Sequence, residues 1–262
     1  MTAAAFTASS YLEQVILRAL PIGLRVGSVL SFAPFLGSLS IPVRIRALLA
    51  FLITALLYPV CHIPEIAGTP VEWTRIALSE ITLGLAIGLA LQFVLEAAQL
   101  AGQITGFQFA FSLVNVIDPQ TNVDTPVLSI FHQLMALLFL LVFNVHHWIL
   151  RGMAKSFEYV PVGSVSITAG AMQALFRAAS GMWLAGVQIA LPLLLVTLLI
   201  DVTVGFLSKA SPQMPVLVLS VPLKSAAGYL VLGIAAAAWP GLFERQFLSA
   251  LGWSERILHL AK

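Results

Sequence analysis

The stretch GFQFAFSLVNVIDP, from Gly106 to Pro119, lies between two strongly apolar segments of the chain. A membrane protein usually has a short hydrophilic loop at such a place, but no Lys or Arg occurs from residue 99 to residue 126. Alternate side chains of an extended backbone point to the same side, so that Phe107, Phe109 and Phe111 would form one apolar edge. Because a loop this apolar does not stay in bulk water, we expect it to be packed in protein or to plug a cavity.

The composition supports a membrane protein. Of the 262 residues, 60% are hydrophobic and 9% are charged, whereas about 25% are charged in a usual soluble domain. One soluble core of this size cannot bury that excess, because a folded protein needs polar surface. The net charge of +2, with scattered basic residues, argues against a nucleic-acid partner. The single cysteine, Cys61, lies in an apolar run and is interpreted as a small buried side chain.

Six apolar segments follow one another along the chain, and several of them contain prolines that predict bent helices. Residues 151–181 form a more polar connection with one predicted short helix at 169–179, and residues 244–262 are predicted to form an amphipathic tail. We therefore predict an all-α membrane protein. The six segments are residues 11–43 (with Pro21 and Pro34), 47–63, 76–98, 128–150, 182–207 (with Pro192) and 214–243 (with Pro222).

The distribution of basic residues contradicts six ordinary membrane crossings. If Arg44 and Arg46 mark the cytoplasm, strict alternation places the aromatic loop inside and the connection 151–181 outside. The aromatic loop has no basic residue, however, whereas the connection has three, which is the reverse of the usual bias towards positive cytoplasmic loops. Either the number of segments is wrong or these helices do not cross a bilayer in the ordinary way. The short, proline-containing and charged segments favour the second alternative, in which neighbouring subunits, rather than lipid, surround much of this chain.

A row of polar and small residues recurs at every fourth position of the third apolar segment. On a helix these residues form a stripe that winds slowly around one side. The stripe is either a packing face, in which the glycines permit close helix contact, or, in its later part, a surface that faces an aqueous lumen. Its members are Glu80, Gly84, Gly88, Gln92 and Glu96, and Gln99 and Gln103 continue it.

Lys224 is the most unusual ionisable residue, because it lies well inside the last apolar segment. An unpaired ammonium group is unfavourable in apolar surroundings. We therefore expect an acidic residue to neutralise it, and Asp201 and Glu80 are the two candidates.

The sequence contains no recognisable catalytic or metal-binding pattern. His132, His146 and His147 lie in one segment, but no two are spaced as i and i+4, the spacing that would direct both to one metal. A position at the membrane interface near Trp148 suits the two adjacent histidines better. No nucleophile motif or phosphate-binding glycine loop occurs. The chain is therefore predicted not to be an enzyme and to need no cofactor or metal.

Several short motifs, in their order and spacing over nearly the whole chain, resemble those of the flagellar biosynthetic protein FliR family and its counterparts in injectisomes. No one of them is diagnostic alone. They are Pro34-Phe35-Leu36-Gly37 with Pro42 and Arg44; Glu80 with Gly84 and Gly88; Gly102-Gln103 through Phe107 and Phe111 to Asp118-Pro119; His146; Ser156-Phe157 with Pro161; Pro192; and Pro212-Gln213 leading to Pro222 and Lys224.

The resemblance implies one chain of a multi-subunit export-gate ring, built from kinked helical hairpins around a central plug loop. It implies assembly with FliP-type and FliQ-type subunits near FlhA-type and FlhB-type proteins, in the bacterial inner membrane at the flagellum basal body. Residues 1–210 would correspond to a P-like part and residues 211–262 to a Q-like part of one export-gate domain. Unfolded proteins would be the export substrates.

The family's plug loop matches the aromatic stretch from Gly106 to Asp118. The implied mechanism is gating: Phe107, Phe109, Phe111 and Leu113 would fill the closed pore, in a loop that ends at Asp118-Pro119. Alternatively, these aromatic side chains only join two subunits. Ala110 stands where the family often has glycine, which affects the expected backbone path of the plug.

Three other functions remain open from the sequence. An injectisome homologue would use the same architecture for a different secretion system. A stand-alone secondary transporter would use Glu80, Asp201 and Lys224 around a site at the middle of the membrane. An intramembrane hydrolase is disfavoured, because no nucleophile with a base partner is recognisable.

Overall fold

The computed structural model describes residues 3–34, 36–37, 41–61, 69–109, 127–166, 168–211, 213 and 216–261. Within these ranges the regular structure is entirely helical. The prediction of an all-α membrane protein is confirmed. In chain order the helices are α1 (Ala3–Phe32), α2 (Val43–Leu57), α3 (Pro70–Gln108), α4 (Val127–Val142), α5 (Val145–Tyr159), α6 (Ala169–Ala210), α7 (Val216–Ala236) and α8 (Trp239–Leu260).

Local capping interactions determine where the two longest helices start. Pro70 occupies the first turn of α3, where its missing N–H is not needed. The Glu72 carboxylate accepts a hydrogen bond of 2.9 Å from the backbone N–H of Thr69, as in a capping box. At the start of α6, the Thr168 hydroxyl oxygen accepts a hydrogen bond of 3.1 Å from the N–H of Ala171.

Several helix boundaries predicted from the sequence are wrong. Helix α3 extends from Pro70 to Gln108 rather than over 76–98, because its polar residues are compatible with a helix and do not end it. The predicted short helix 169–179 is the first part of α6, which continues through the predicted segment 182–207. The predicted segment 128–150 is divided at Asn144, which has a φ of 55°, a left-handed conformation that asparagine adopts more readily than most residues.

Three of the prolines that predicted bent or broken helices lie inside helices, and Pro34 lies just after α1. Pro21 is within α1, Pro192 within α6 and Pro222 within α7. A proline removes one backbone hydrogen bond, and in apolar helices neighbouring groups can compensate for that loss. The described chain breaks elsewhere, between α4 and α5 and between α7 and α8, and the second of these breaks bends the chain by 62°.

The helix lengths do not match one bilayer thickness. By length and composition, the described residues contain three helices that could cross a membrane: residues Gln14–Phe32 of α1, α3 and α6. The number rises to five if each of the two bent pairs counts as one crossing. Helix α3 has 39 residues and α6 has 42, so they measure about 58 and 63 Å at 1.5 Å per residue. These lengths are roughly twice the hydrocarbon thickness of about 30 Å.

The chain forms two compact units. The first contains Met1–Gln92, Asn144–Ala178 and Ser249–Lys262, and the second contains Phe93–Phe143 and Ala179–Leu248. Helices α3, α6 and α8 each contribute residues to both units.

In the first unit, glycines allow α1 and α3 to approach closely. A Cβ atom at Gly84 would overlap the side chain of Ser28, and one at Gly88 would lie 2.8 Å from the Cβ of Phe32. Helix α1 therefore runs along the Gly84–Gly88 side of α3 at a distance that larger side chains would not permit.

Arg25 of α1 is completely buried at this helix contact. Its Nε atom donates a hydrogen bond of 2.5 Å to the carboxylate of Glu80 on α3, which is also completely buried. Its Nη1 atom donates to the backbone carbonyl oxygens of Ser156 and Val160, each at 2.9 Å. Ser156 lies in the last turn of α5 and Val160 directly follows that helix, at a C-terminal end that attracts cations. The Ser156 carbonyl oxygen also accepts the N–H of Val160 at 3.0 Å, so that it receives two donors.

Two further contacts complete this arrangement, which we call the Arg25 clamp (Arg25, Glu80, Ser156, Phe157, Val160 and Gly163). The Arg25 guanidinium lies 4.3 Å from the centre of the Phe157 ring, a favourable cation–π position. The second carboxylate oxygen of Glu80 accepts a hydrogen bond of 3.1 Å from the N–H of Gly163, whose φ of 80° favours glycine. The clamp thus joins α1, α3, α5 and the turn that follows α5.

Breaking the Arg25 clamp on one side should strongly destabilise the first unit. We expect Arg25→Met or Glu80→Gln to lower the free energy of unfolding by about 3–5 kcal/mol, because each leaves a buried polar partner uncompensated. Thermal unfolding of the detergent-solubilised protein measures this, with Arg44→Met, at an exposed position of α2, as the control. Equal effects of Arg25→Met and Arg44→Met would contradict the assigned role.

Candidate functional site

The first part of the polar stripe is a packing face. Gly84 and Gly88 lie against α1, and Glu80 is held by Arg25 and Gly163. Further along α3, a Cβ atom at Gly102 would overlap the backbone of Ser129 on α4, and the Ser129 hydroxyl donates a hydrogen bond of 2.8 Å to the Gln99 carbonyl oxygen. Helix α3 therefore makes close helix contacts in each unit.

The later polar residues of the stripe have a less definite environment. Gln92, Glu96 and Gln103 are half-buried, and Gln92 and Glu96 interact with other groups of the chain. A role for these residues at an aqueous lumen stays a prediction.

The extended aromatic edge predicted from alternation is wrong where it can be compared with the structure. Helix α3 continues to Gln108, so Phe107 lies in its last turn and Phe109 directly follows it. The Phe109 N–H still donates a hydrogen bond of 3.1 Å to the Thr105 carbonyl oxygen. On a helix, residues two apart point in different directions, and accordingly Phe107 is 66% exposed whereas Phe109 is 3% exposed.

Phe109 belongs to the core of the second unit. Its ring lies 5.4 Å from the ring of Tyr229, measured between centroids, and a Cβ atom at Gly228 would overlap it. Its other neighbours are apolar side chains of α4, α6 and α7, and together with it they form what we call the Phe109 cluster. The cluster comprises Phe109, Leu128 and Leu193, with Val231, Leu232 and Ala235 packed against them.

The Phe109 cluster holds the described residues on both sides of the segment 110–126. Phe109 precedes that segment and Leu128 lies just after it, at the start of α4. The other predicted plug residues, Phe111, Leu113, Asp118 and Pro119, lie outside the described residues, as does Ala110. Phe109 and Leu128, on the two sides of the segment 110–126, thus pack in one cluster.

Lys224 is paired with Asp201, one of the two partners considered from the sequence. The Lys224 Nζ atom lies 2.5 Å from an Asp201 carboxylate oxygen, with the lysine side chain 17% and the aspartate side chain 47% exposed. Glu80, the other candidate, belongs to the first unit and pairs with Arg25. The three residues of the hypothetical transporter site therefore divide between two units, and each is engaged by a partner in its own unit.

The family-motif residues have different positions. Ser156 and Phe157 contribute to the Arg25 clamp, and Pro42 caps the start of α2 with Arg44 exposed beside it. The remaining residues mark chain connections or helix interiors: Pro161 and Gln213 are exposed outside helices, Pro192 and Pro222 lie within α6 and α7, and Pro212 lies outside the described residues.

Sequence reasoning missed Arg25, which it did not identify as a functional or structural site. A guanidinium in an apolar helix must find acceptors, and this requirement was available from the sequence. The identity of the acceptors was not, because Glu80, Ser156 and Val160 lie 55 to 135 residues away along the chain.

Among the side chains that could support other chemistry, those of His146 and His147 lie together, with ring centroids 4.2 Å apart. Among the described residues, no three His, Cys, Asp or Glu side chains are grouped so as to hold a metal ion. His132 is buried, with its Nδ1 2.8 Å from the Leu128 carbonyl oxygen and its ring 4.9 Å from that of Trp239. Burial raises the pKa of the half-buried Cys61 thiol, and a thiol that stays protonated is a poor nucleophile.

The ion pair between Lys224 and Asp201 predicts a compensating substitution. We expect Lys224→Ala to lower the free energy of unfolding by about 1–3 kcal/mol, between the values for exposed and buried pairs. Adding Asp201→Asn should restore part of the loss, because it removes the carboxylate that lost its partner. Thermal unfolding in detergent checks this, with Lys209→Ala at the exposed end of α6 as the control. The pairing is refuted if the double variant loses as much unfolding free energy as the two single variants, Lys224→Ala and Asp201→Asn, lose together.

Comparison with known proteins gives one consistent result. The sequence model of the family described as "Bacterial export proteins, family 1" matches residues 16–250. The flagellar biosynthetic protein FliR of Escherichia coli K12 is 31% identical over 83% of this chain and 82% of its own length. The FliR protein of Bacillus subtilis is 31% identical over 80% of this chain and 82% of its own length. The FliR protein of Aquifex aeolicus is 29% identical over 79% of this chain and 81% of its own length. The chain belongs to the FliR family of bacterial export proteins.

Proposed function

We propose that this chain is a subunit of the export gate of the flagellar type III protein export apparatus, located in the bacterial inner membrane at the flagellum basal body. In this proposal it assembles with FliP-type and FliQ-type subunits, near FlhA-type and FlhB-type proteins, and unfolded substrates pass through the resulting channel. The observation that carries the proposal is the family match over residues 16–250. The relatives named above are flagellar proteins, which favours the flagellar over the injectisome system.

Exposed apolar surface supports assembly with other chains. In the second unit, α6 exposes large apolar side chains, among them Trp183, Leu191 and Phe206, which are 60%, 45% and 71% exposed. Helix α6 is about 63 Å long at 1.5 Å per residue, and lipid tails can cover only about 30 Å of it unless it is strongly tilted. Other protein must then cover the remaining apolar surface, because extended apolar patches do not stay in water.

The gate in this proposal consists of an anchor and a plug. Phe109 is the anchor, because its ring is buried in the Phe109 cluster and cannot fill a shared pore at the same time. Phe107, Phe111 and Leu113 are the side chains we assign to the closed pore, as in channels closed by a hydrophobic constriction. Asp118-Pro119 ends the plug. An unfolded substrate displaces this segment as it passes.

In the same proposal the chain has no catalytic role. The chain provides the wall and plug of a conduit, and other components supply the driving energy. The P-like part covers about residues 1–210 and the Q-like part about residues 211–262, with the boundary in the connection between α6 and α7. The stand-alone transporter is not favoured, because Glu80 pairs with Arg25 and Lys224 pairs with Asp201.

Gentle purification tests the assembly. An affinity-tagged chain, expressed from its native operon and extracted in a mild detergent, should co-purify with at least two other small apolar membrane proteins in fixed ratio. Mass spectrometry identifies them, and a tagged unrelated inner-membrane protein is the control. A stable monomer, recovered with no companion protein, would refute the proposed assembly.

Ion leakage tests the plug. We expect Phe107→Ala, Phe111→Ala and Leu113→Ala together to increase potassium leakage through the complex in liposomes, because smaller side chains no longer exclude water and ions. Phe131→Ala, at a partly exposed position on α4, is the matched control. Unchanged leakage in a complex that assembles normally would indicate that these side chains only join subunits.

A further inference from the structure

Helices α6 and α7 of the second unit meet at two points that fix their register. The first is the ion pair between Asp201 and Lys224. The second is the Phe109 cluster, which contains Leu193 of α6 and has Leu232 of α7 packed against it. Along α6, Asp201 of the ion pair comes after Leu193 of the cluster. Along α7, Lys224 of the ion pair comes before Leu232 of the cluster. The two helices are therefore antiparallel along this contact.

The ion pair and the binding position of Phe109 are one helical turn apart on α7. Lys224 and Gly228 are separated by four residues, or about 6 Å along the helix, and lie on the same side of it. Gly228 leaves the space that the Phe109 ring occupies, because a Cβ atom there would overlap the ring. Its neighbour Tyr229 contacts the same ring.

The register of α7 therefore decides whether Phe109 has a place to bind. A shift of α7 by one turn, about 5.4 Å, would bring Lys224 or Leu232 to the position of Gly228. Either side chain would occupy the volume that now holds the Phe109 ring. The anchor of the aromatic segment thus requires the register in which Gly228 faces Phe109.

An ion pair is well suited to select one register. Lys224 is 17% exposed on a strongly apolar helix, so each register that separates it from Asp201 leaves an ammonium in unfavourable surroundings. Hydrophobic contacts alone discriminate weakly here, because the leucine, valine and alanine side chains of α6 and α7 can repack. Single polar groups that fix helix register are the best-supported specific role of such pairs.

We propose that Asp201 and Lys224 are positioning residues for the gate: by fixing the register of α6 against α7, they hold Gly228 where it receives the ring of Phe109. Since Phe109 precedes the segment 110–126, the ion pair controls how firmly one end of that segment is anchored. This inference deepens the proposed function and rests on it for the link to gating. The positioning of Phe109 itself does not depend on the gate.

The experiment observes Phe109 directly in the complete co-purified complex. 4-Fluorophenylalanine is incorporated at position 109, and its ¹⁹F resonance reports the environment of the ring. Gly228→Ala provides the reference for a displaced ring, because the added methyl group takes the ring's space. Gly233→Ala is the matched control on the same helix, since a Cβ atom there meets nothing within 4 Å.

The test variants are Lys224→Met and Asp201→Asn. Each should increase the population with the displaced resonance by about tenfold, which corresponds to about 1.4 kcal/mol. Lys224→Arg should retain the original resonance, because it keeps the charge and the hydrogen bond to Asp201. Lys209→Met, which removes an exposed lysine of α6, should not change it. Asp201→Asn preserves side-chain size and serves if Lys224→Met does not fold.

Two results would overturn the inference. In the first, Gly228→Ala moves the resonance but neither Lys224→Met nor Asp201→Asn does. In the second, Gly228→Ala itself leaves it unchanged, which would remove the assigned position of the ring. Potassium leakage is measured on the same samples. If the resonance moves as expected while leakage stays at the original level, the positioning role holds and the proposed gate function fails.

Discussion

A buried guanidinium needs hydrogen-bond acceptors from its surroundings, and that requirement organises the first unit. Arg25 obtains a carboxylate from α3 and two backbone carbonyl groups from the end of α5. Moving a charge of this kind into an apolar interior costs several kcal/mol unless the partners are well placed. Arrangements of α1, α3 and α5 that separate Arg25 from Glu80 are therefore disfavoured, whereas apolar contacts alone would tolerate many of them.

The parts of the structure that the sequence predicts correctly depend either on the overall composition or on the spacing of residues within one helix. Composition predicts a membrane protein, because only 9% of the residues are charged and so few cannot cover a soluble domain of this size. The apolar segments then predict that it is helical. The spacing of Gly84 and Gly88 predicts a close helix contact, since residues four apart share a helix face. That contact exists, against α1. The helical period and the small size of glycine suffice to predict that another helix packs closely there. They do not predict which helix it is.

The features that were predicted wrongly are those for which two backbone conformations suit the same apolar sequence, so that hydrophobicity does not distinguish them. Phe107 and Phe109 alternate as in a strand, but the hydrogen bonds of α3 continue past them and send the two rings to different environments. Asn144 divides an uninterrupted apolar run because its backbone adopts a left-handed conformation, which hydropathy does not reveal. The partner of Arg25 could not be predicted either, since Glu80 becomes its neighbour only when α1 packs on α3.

Helix α3 connects the two interactions that hold the described structure together. It carries Glu80 of the Arg25 clamp near its start and leads directly into Phe109 at its end. Glu80 and Phe109 are 29 positions apart in the sequence, and α3 continues without interruption to Gln108. A movement of the segment 110–126 must therefore bend this helix, withdraw Phe109 from its cluster, or leave Phe109 in place and move only the residues beyond it. Bending α3 disturbs its close glycine contacts, and withdrawing Phe109 exposes a large apolar ring and leaves a cavity. The third movement disturbs neither, so the proposed gate is expected to open with least loss of packing when Phe109 stays in its cluster.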